Sequence, residues 1–529
     1  MSNSSSSPAI PELRRSSSEA TERGRGCFPV RSVGSAPPQS SSRVFPRFGS
    51  SLVTGGRGRF PVAPDFLSSP FHQLHLTGSD QPIKCAQFQI QPLFSRALRI
   101  PAGCEPEGCF PEAMNIHLDE YGKVFKTHLL GRPLIMSTDP EINSAVMQNG
   151  KAFAPFYPKS IIELSGKYSI LKMDANLHKR FHGLISKFLK SEESLQFITR
   201  NVASSVNLAV HAWEEKHRIY VQDETYQIAF PMLVWSLLGI VSDKEMDLLK
   251  EEFTEVLKGI ICIPIKFPGT RLYKSLKAKE RMMILVKEII KQKAERNDDR
   301  ARTCVADVLI SEFHESSDET TVEMISNVII EMMIPGHHSV PILMTLALKY
   351  ISDSPAVRKR LLEENLELKK RKSRIGDDYQ WSDYLSLPFT QNVIYETLRM
   401  ANIVNSIWRK SLADTEIKGY LFPKGWCVAT SFTTVHFDES IYENPFEFNP
   451  WRWEGKGGLN QTTFTPFGGG QRLCPGYIIT RLEVSIFLHH FVTSFSWVAE
   501  DDKIITFPTV KMKNRLPVIL SPISDPLGD

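Results

Sequence analysis

The sequence predicts a mainly α-helical fold with a small β sheet, one domain of roughly 410 residues behind a divergent N-terminal segment. Three observations carry this. Apolar residues recur at helical spacing over 178–190, 223–241, 244–258, 272–295, 320–351, 355–371, 387–400 and 476–494. Strand-like pieces are short and few: Tyr121-Gly-Lys-Val-Phe-Lys, Pro133-Leu-Ile-Met, Glu416-Ile-Lys-Gly-Tyr-Leu and Cys427-Val-Ala-Thr-Ser-Phe. The composition also changes character near residue 112.

Residues 1–112 are expected to form a disordered segment without a membrane anchor, and 113–529 the folded domain. The first 60 residues carry 15 Ser, 9 Arg and only 3 acids, too little apolar surface to offset the entropy of ordering. Such a stretch also suits an organelle transit peptide. No run reaches the roughly 18 apolar residues of a membrane span. The longest, Ile228 to Val241, is 14 residues long, contains Pro231 and Ser236, and reads as a buried helix. The domain exceeds the usual size of a single core, so a large buried cofactor would help to organise it.

With 42% hydrophobic and 23% charged residues the chain can bury a large core, and a net charge of +4 carries no nucleic-acid footprint. The eight cysteines (Cys27, Cys85, Cys104, Cys109, Cys262, Cys304, Cys427 and Cys474) form no CxxC pair. They point to a reducing compartment.

The most informative segment is Phe467-Gly-Gly-Gly-Gln-Arg-Leu-Cys-Pro-Gly476. Its glycines, Gly470 among them, let the backbone turn tightly and approach a flat ligand. Cys474 follows at the start of a helix, where free amides favour a thiolate. Arg472 can reach an acidic cofactor edge, and Phe467 can shield the sulfur. Matching Phe, Gly, Arg, Cys and Gly at these offsets by chance is on the order of one in ten thousand.

Two motifs precede it. Glu396-Thr-Leu-Arg399 sets a carboxylate and a guanidinium on one helical face. Pro445-Phe-Glu-Phe-Asn-Pro-Trp-Arg452-Trp453 then supplies a second arginine. The three segments together resemble the cytochrome P450 superfamily, whose fold encloses a haem. The resemblance implies that Cys474 is the axial ligand of a haem b iron within a loop that includes Gly476. It also implies that Glu396, Arg399 and Arg452 form a buried triad supporting that loop. Such charges persist indoors only when mutually paired. By family position Arg409 is a propionate candidate, and His178-Lys-Arg-Phe-His182 offers His178, Lys179, Arg180 and His182 as others. His178-Lys-Arg-Phe-His182 reads equally well as a basic face in solvent.

The oxygen-side helix departs from the family pattern. A long apolar helix over 324–350 is interrupted by Ile334-Pro-Gly-His-His-Ser-Val-Pro341. Pro335 and Pro341 cannot donate to the carbonyls of Glu331 and His337, so a kink is expected. The family reads Ala/Gly-Gly-x-Asp/Glu-Thr here. Gly336 matches and Ser339 keeps the hydroxyl, but His338 stands where the acid belongs. Neither His337 nor His338 is expected to ligate iron, because the chemistry needs that position open.

The resemblance is closer still to the plant brassinosteroid side-chain hydroxylases. It runs through Tyr157-Pro-Lys-Ser, Pro268-Gly-Thr-Arg-Leu-Tyr, Asp383-Tyr-Leu-Ser-Leu-Pro-Phe-Thr-Gln, Ile417-Lys-Gly-Tyr, Pro423-Lys-Gly-Trp-Cys and Phe507-Pro-Thr-Val-Lys-Met-Lys, within roughly residues 115 to 520. It implies hydroxylation of a sterol side chain at carbon 23 with O2 and NADPH-derived electrons from a separate cytochrome reductase. It further implies a monomer at the endoplasmic reticulum membrane, with substrate contacts from 153–171, 330–339, 401–408 and 506–510. The apolar anchor of such relatives has no counterpart in 1–112, which leaves a soluble or organelle-targeted form as the alternative. Two rival functions are a peroxide-using haem isomerase or dehydratase and a non-catalytic sterol-binding remnant. Dependence of product on NADPH and reductase separates all three.

Overall fold

The computed structural model describes residues 122–523 apart from 130–131, 296–302, 314–318, 456–461 and 507–508. The expected disordered segment, with Cys27, Cys85, Cys104 and Cys109, lies outside the described residues, as does Tyr121. The other four cysteines are free.

The chain opens with strands β1 (Val124–Leu129) and β2 (Arg132–Ser137), helix α1 (Pro140–Gln148), strand β3 (Phe153–Pro155) and helix α2 (Lys159–Ser165). Helices α3 (Ala175–Leu189) and α4 (Glu192–Glu214) follow, then β4 (Arg218–Tyr220), α5 (Val221–Leu238), α6 (Asp243–Leu257), α7 (Arg271–Glu295) and α8 (Val305–Glu312). The long helix is α9 (Glu319–Ser352), succeeded by α10 (Pro355–Ile375), α11 (Trp381–Leu385) and α12 (Pro388–Ala401). After β5 (Ser406–Ser411), β6 (Thr415–Ile417), β7 (Tyr420–Phe422), β8 (Cys427–Ser431) and α13 (Thr433–His436) comes the last helix, α14 (Tyr477–Ser494). Strands β9 (Phe495–Ala499), β10 (Ile504–Ile505), β11 (Lys511–Met512) and β12 (Pro517–Pro522) close the chain.

All eight sequence-predicted helices are present. Their ends follow local chemistry. Ser242 and Glu245 make a reciprocal capping box at the start of α6. Pro388 opens α12, and Asn402, at φ 42°, ends it in the left-handed region. Three expectations need correction. Helix α9 is not interrupted: it runs as one 34-residue element through Pro335 and Pro341. Glu416 to Leu421 is not one strand but the β6–β7 hairpin, turned at Lys418 and Gly419, both with positive φ. The 23-residue helix α4 was not predicted at all.

Helices α4, α5, α9 and α14 pack together at the centre. Helices α9 and α14 are buried on nearly every face, through Ile329, Met333, Leu343 and Leu346 on one and Leu482, Ile486, Phe487 and Phe491 on the other. The largest sheet has the order β1-β2-β8-β5-β3, with β2 and β8 parallel and the other pairs antiparallel. It carries Arg409 on β5, buried at the end of the β3–β5 ladder opposite Pro155.

Candidate functional site

The thiolate loop is a sequence-local object. Thr465 accepts the Gly468 amide at 2.9 Å, and Phe467 accepts the Cys474 amide at 3.0 Å, which closes the loop around a 3₁₀ turn at Gly470–Arg472. Gly470 could be nothing else. Its φ is +64°, and a Cβ there would stand 2.4 Å from the carbonyl oxygen of Met147. Cys474 lies two residues before Gly476, the N-cap of α14. Burial pushes its thiol up, and the Gly476 amide pulls the other way without winning. The helix start thus favours the thiolate as expected but is outweighed by burial, and a cation at the sulfur would add to its pull.

Behind the loop, the predicted triad is assembled. Arg399 grips Glu396 with Nε (3.0 Å) and Nη2 (2.8 Å), and Arg452 Nε donates to the same carboxylate at 2.9 Å. The Trp453 indole and the Asn449 amide donate to it as well. Glu396 and Arg399 are wholly buried. A charge pair at that depth tolerates burial because each lone pair and proton finds a partner.

On its other flank the loop meets cations. The His182 ring lies 2.7 Å, through Nε2, from the carbonyl of Leu473, and stacks on His178 at 5.7 Å. His178 is held down to about 4 by burial, then by Arg472 and His182. Burial also lowers Arg409 and Arg472; Tyr157 is the group that opposes this at both, and Arg472 adds to the suppression of Arg409. No carboxylate stands among these influences. Lys179 and Arg180 instead face solvent, where Arg180 pairs with Glu312 at 2.7 Å. The basic helix thus divides, histidines inward and longer cations outward. Tyr157 entered the sequence reading only through the Tyr157-Pro-Lys-Ser segment and the 153–171 contacts, not as a partner of these arginines, because a tyrosine in a loop carries no spacing signal.

The oxygen-side residues are placed differently. Gly336 lies against α5, where a Cβ would meet Leu233 at 2.6 Å. His337 sits among Tyr226, Phe230 and Phe253, with burial holding it down to about 4. His338 meets the Tyr226 hydroxyl at 2.7 Å through Nδ1. Burial lowers its pKa, and the Val510 backbone opposes this. Ser339 donates its hydroxyl to the Pro335 carbonyl at 2.8 Å. No hydrogen bond among the described residues joins this group to the Cys474 loop. One turn earlier is a polar cluster that the sequence did not announce. Glu331 accepts the Ile170 amide at 2.8 Å, while Lys279 donates to Leu164, Ser165 and Asn327. This ties 164–170 to α7 and α9.

These residues suit a preassembled macrocycle. Among the described residues no group of three or more His, Cys, Asp or Glu could hold a bare ion. A metal here must bring most of its ligands, and Cys474 offers one more. The cations without carboxylates suit an acidic rim. The arrangement suits a haem protein.

The comparisons agree. A family model described as Cytochrome P450 matches residues 108–520. The chain is 52% identical over 410 residues to 3-epi-6-deoxocathasterone 23-monooxygenase CYP90C1 of Arabidopsis thaliana, covering 77% of this chain and 78% of that protein. It is 48% identical to the 23-monooxygenase CYP90D1 of the same plant, over 75% of this chain and 82% of the other. The solved structure of retinoic acid-bound cyanobacterial CYP120A1 superposes with a TM-score of 0.69 at 20% identity, covering 79% of this chain and 95% of that one, and speaks for the fold alone. This chain belongs to the cytochrome P450 family, and it is a monooxygenase with a haem cofactor. Among the described residues no single helix is long and apolar enough to cross a membrane.

Proposed function

We propose that the chain hydroxylates the side chain of a brassinosteroid precursor sterol at carbon 23, with O2 and with electrons passed from NADPH by a separate cytochrome reductase. The observation that carries this is the 52% identity, over about three quarters of both chains, to a protein named for that reaction on 3-epi-6-deoxocathasterone. Its site of action on this reading is the endoplasmic reticulum membrane, as a monomer, which rests on the family alone.

Cys474 holds the iron of haem b as a thiolate. When bound, the haem supplies the redox chemistry that activates oxygen. Arg409 and Arg472 hold the propionates, with the inward faces of His178 and His182 beside them, and burial strengthens each such contact. Phe467 and the closed loop keep water from the sulfur. Ser339 donates its hydroxyl to the Pro335 carbonyl and can turn it toward the substrate side. His338, neutral and tied to Tyr226, stands next to it as the group through which that hydroxyl is recharged.

The test is reconstitution with a plant reductase, NADPH and 3-epi-6-deoxocathasterone, followed by mass spectrometry. The expected result is a 23-hydroxylated product that disappears without NADPH. A product formed with peroxide alone, or a spin-state shift with lauric acid at lower concentration than with any sterol, overturns the reading.

A further inference from the structure

We infer that His436 is a positioning residue that carries the geometry of the buried Glu396–Arg399 pair to the thiolate loop, through a neutral imidazole with its proton fixed on Nδ1. This rests on reading Cys474 as the haem ligand. Nothing in the sequence marks His436, which lies in a four-residue helix, α13, between β8 and the Pro445–Trp453 segment.

The ring is wholly buried and both its nitrogens are engaged. Nδ1 lies 2.8 Å from Oδ1 of Asn402, an atom that can only accept. The amide flip of Asn402 is settled by its Nδ2, which donates to the Arg399 carbonyl at 2.8 Å. Nε2 lies 3.2 Å from the backbone nitrogen of Thr465, which can only donate. The proton therefore belongs on Nδ1, and Nε2 must stay bare. Arg399 donates to the backbone carbonyl of His436 at 2.7 Å. Burial of the ring, and then the charge of the Arg399 guanidinium, hold His436 down to about 3, so a second proton does not compete.

The consequence is a continuous path. Arg399, His436 and Asn402 close a ring of hydrogen bonds at the end of α12. From that ring the sole polar reach toward the loop, among the described residues, is the Nε2 contact with Thr465. Thr465 in turn accepts the Gly468 amide, at the first glycine of the loop that ends in Cys474. A triad that only filled space would not need this connection. Here the pair on α12 sets where Thr465 sits, and Thr465 sets where the loop begins.

Three substitutions separate positioning from packing. His436→Gln places an oxygen near Nε2 and keeps an acceptor for Thr465. His436→Asn keeps a donor near Nδ1 for Asn402 but loses that acceptor. His436→Ala loses both. Each full-length holoprotein is reduced under carbon monoxide. The fraction showing the red-shifted Soret band of thiolate ligation is compared with total haem, and far-ultraviolet circular dichroism checks the fold. Asn and Ala should lower the ratio of thiolate-ligated to unligated haem about tenfold, the equilibrium value of one buried unsatisfied amide, while Gln should restore most of it. Gln behaving like Asn and Ala, or all three matching the parent, overturns the inference. A parent protein without the red-shifted band would instead defeat the assignment of Cys474.

Discussion

On the loop side, the Glu396 carboxylate takes five donors, and all three nitrogens of each arginine beside it are engaged. On the helix side, among the described residues, Nδ1 of His337 is buried with no hydrogen-bond partner, and Nε2 of His338 has no well-formed hydrogen bond, only the influence of the Val510 backbone. Both regions hold neutral imidazoles against low-dielectric surroundings, but only one satisfies them. A fully connected polar network has one low-energy arrangement, whereas a half-satisfied one leaves room to shift. The loop side is therefore built to hold a group still. The helix side, with two prolines in α9 and histidines resting on α5, is built with slack.

Cys474→Ala should have the largest effect, because it removes an atom that no neighbour can replace. The reduced, carbonyl-bound protein should lose the red-shifted Soret band completely. Retention of that band would mean that the sulfur on the loop is not the ligand, and the contrast between the two sides would collapse.

Breaking the network comes next. Glu396→Ala leaves two buried guanidiniums without their shared anion, at a cost of about 3–5 kcal/mol. Urea unfolding should show it. A loss under about 1 kcal/mol would mean that the triad is dispensable for stability. Arg409→Leu tests the rim: haem retention should fall by about ten- to hundredfold, the worth of a charge-assisted hydrogen bond, with little change in the melting of the haem-free chain.

The same contrast explains what could be read in advance. The loop, the triad and the eight long helices depend on fixed spacings, so the residues announce them. Helix α4 carries the same kind of spacing, with Leu195, Ile198, Val202, Val206, Val210 and Trp213 recurring every three or four residues, but Ser, Thr and Asn of weak helix propensity between them mask it. Burial against α14 supplies the stability that those residues withhold. The division of His178 and His182 from Lys179 and Arg180, the hidden link at His436, and the Lys279–Glu331 cluster are likewise decided by which elements meet. At α9 the two prolines do not break the helix. Packing on α5 and α7 holds the helix together although two carbonyls lose their donors.

The helix side also predicts a response to acid. His337 titrates near about 6.5 when unfolded, and burial holds it to about 4 in the fold. Between those values the unfolded chain binds more protons, so stability is fully present above about 6.5 and declines as the pH falls toward 4. The contribution is up to about 1.4 kcal/mol per pH unit. His337→Phe, set among Tyr226, Phe230 and Phe253, should flatten that slope in chemical unfolding at pH 6.5, 5.5 and 4.5. An unchanged slope would show that the ring reaches water.

The smallest effect concerns His338. If it were charged, it would place a cation beside the hydroxyl of Ser339. The structure argues for a neutral ring instead, because burial lowers its pKa and Tyr226 occupies Nδ1. On the proposed relay, a neutral imidazole whose pKa is depressed spends little time charged and would recharge Ser339 slowly. Slow recharging lets reducing equivalents escape into side products. A carboxylate at 338 could still accept from the Tyr226 hydroxyl, so His338→Asp preserves the anchor while adding a group that carries negative charge at neutral pH. Product formed per NADPH consumed should rise, by no more than about tenfold, which corresponds to about 1.4 kcal/mol in the partition. Ser339→Ala should lower it. Tyr226→Phe should lower it too, because the freed Nδ1 loses the contact that fixes the ring. The measurement is a side-by-side coupling ratio at saturating reductase. If His338→Asp leaves that ratio unchanged and Tyr226→Phe does the same, the slack on the helix side has no bearing on turnover.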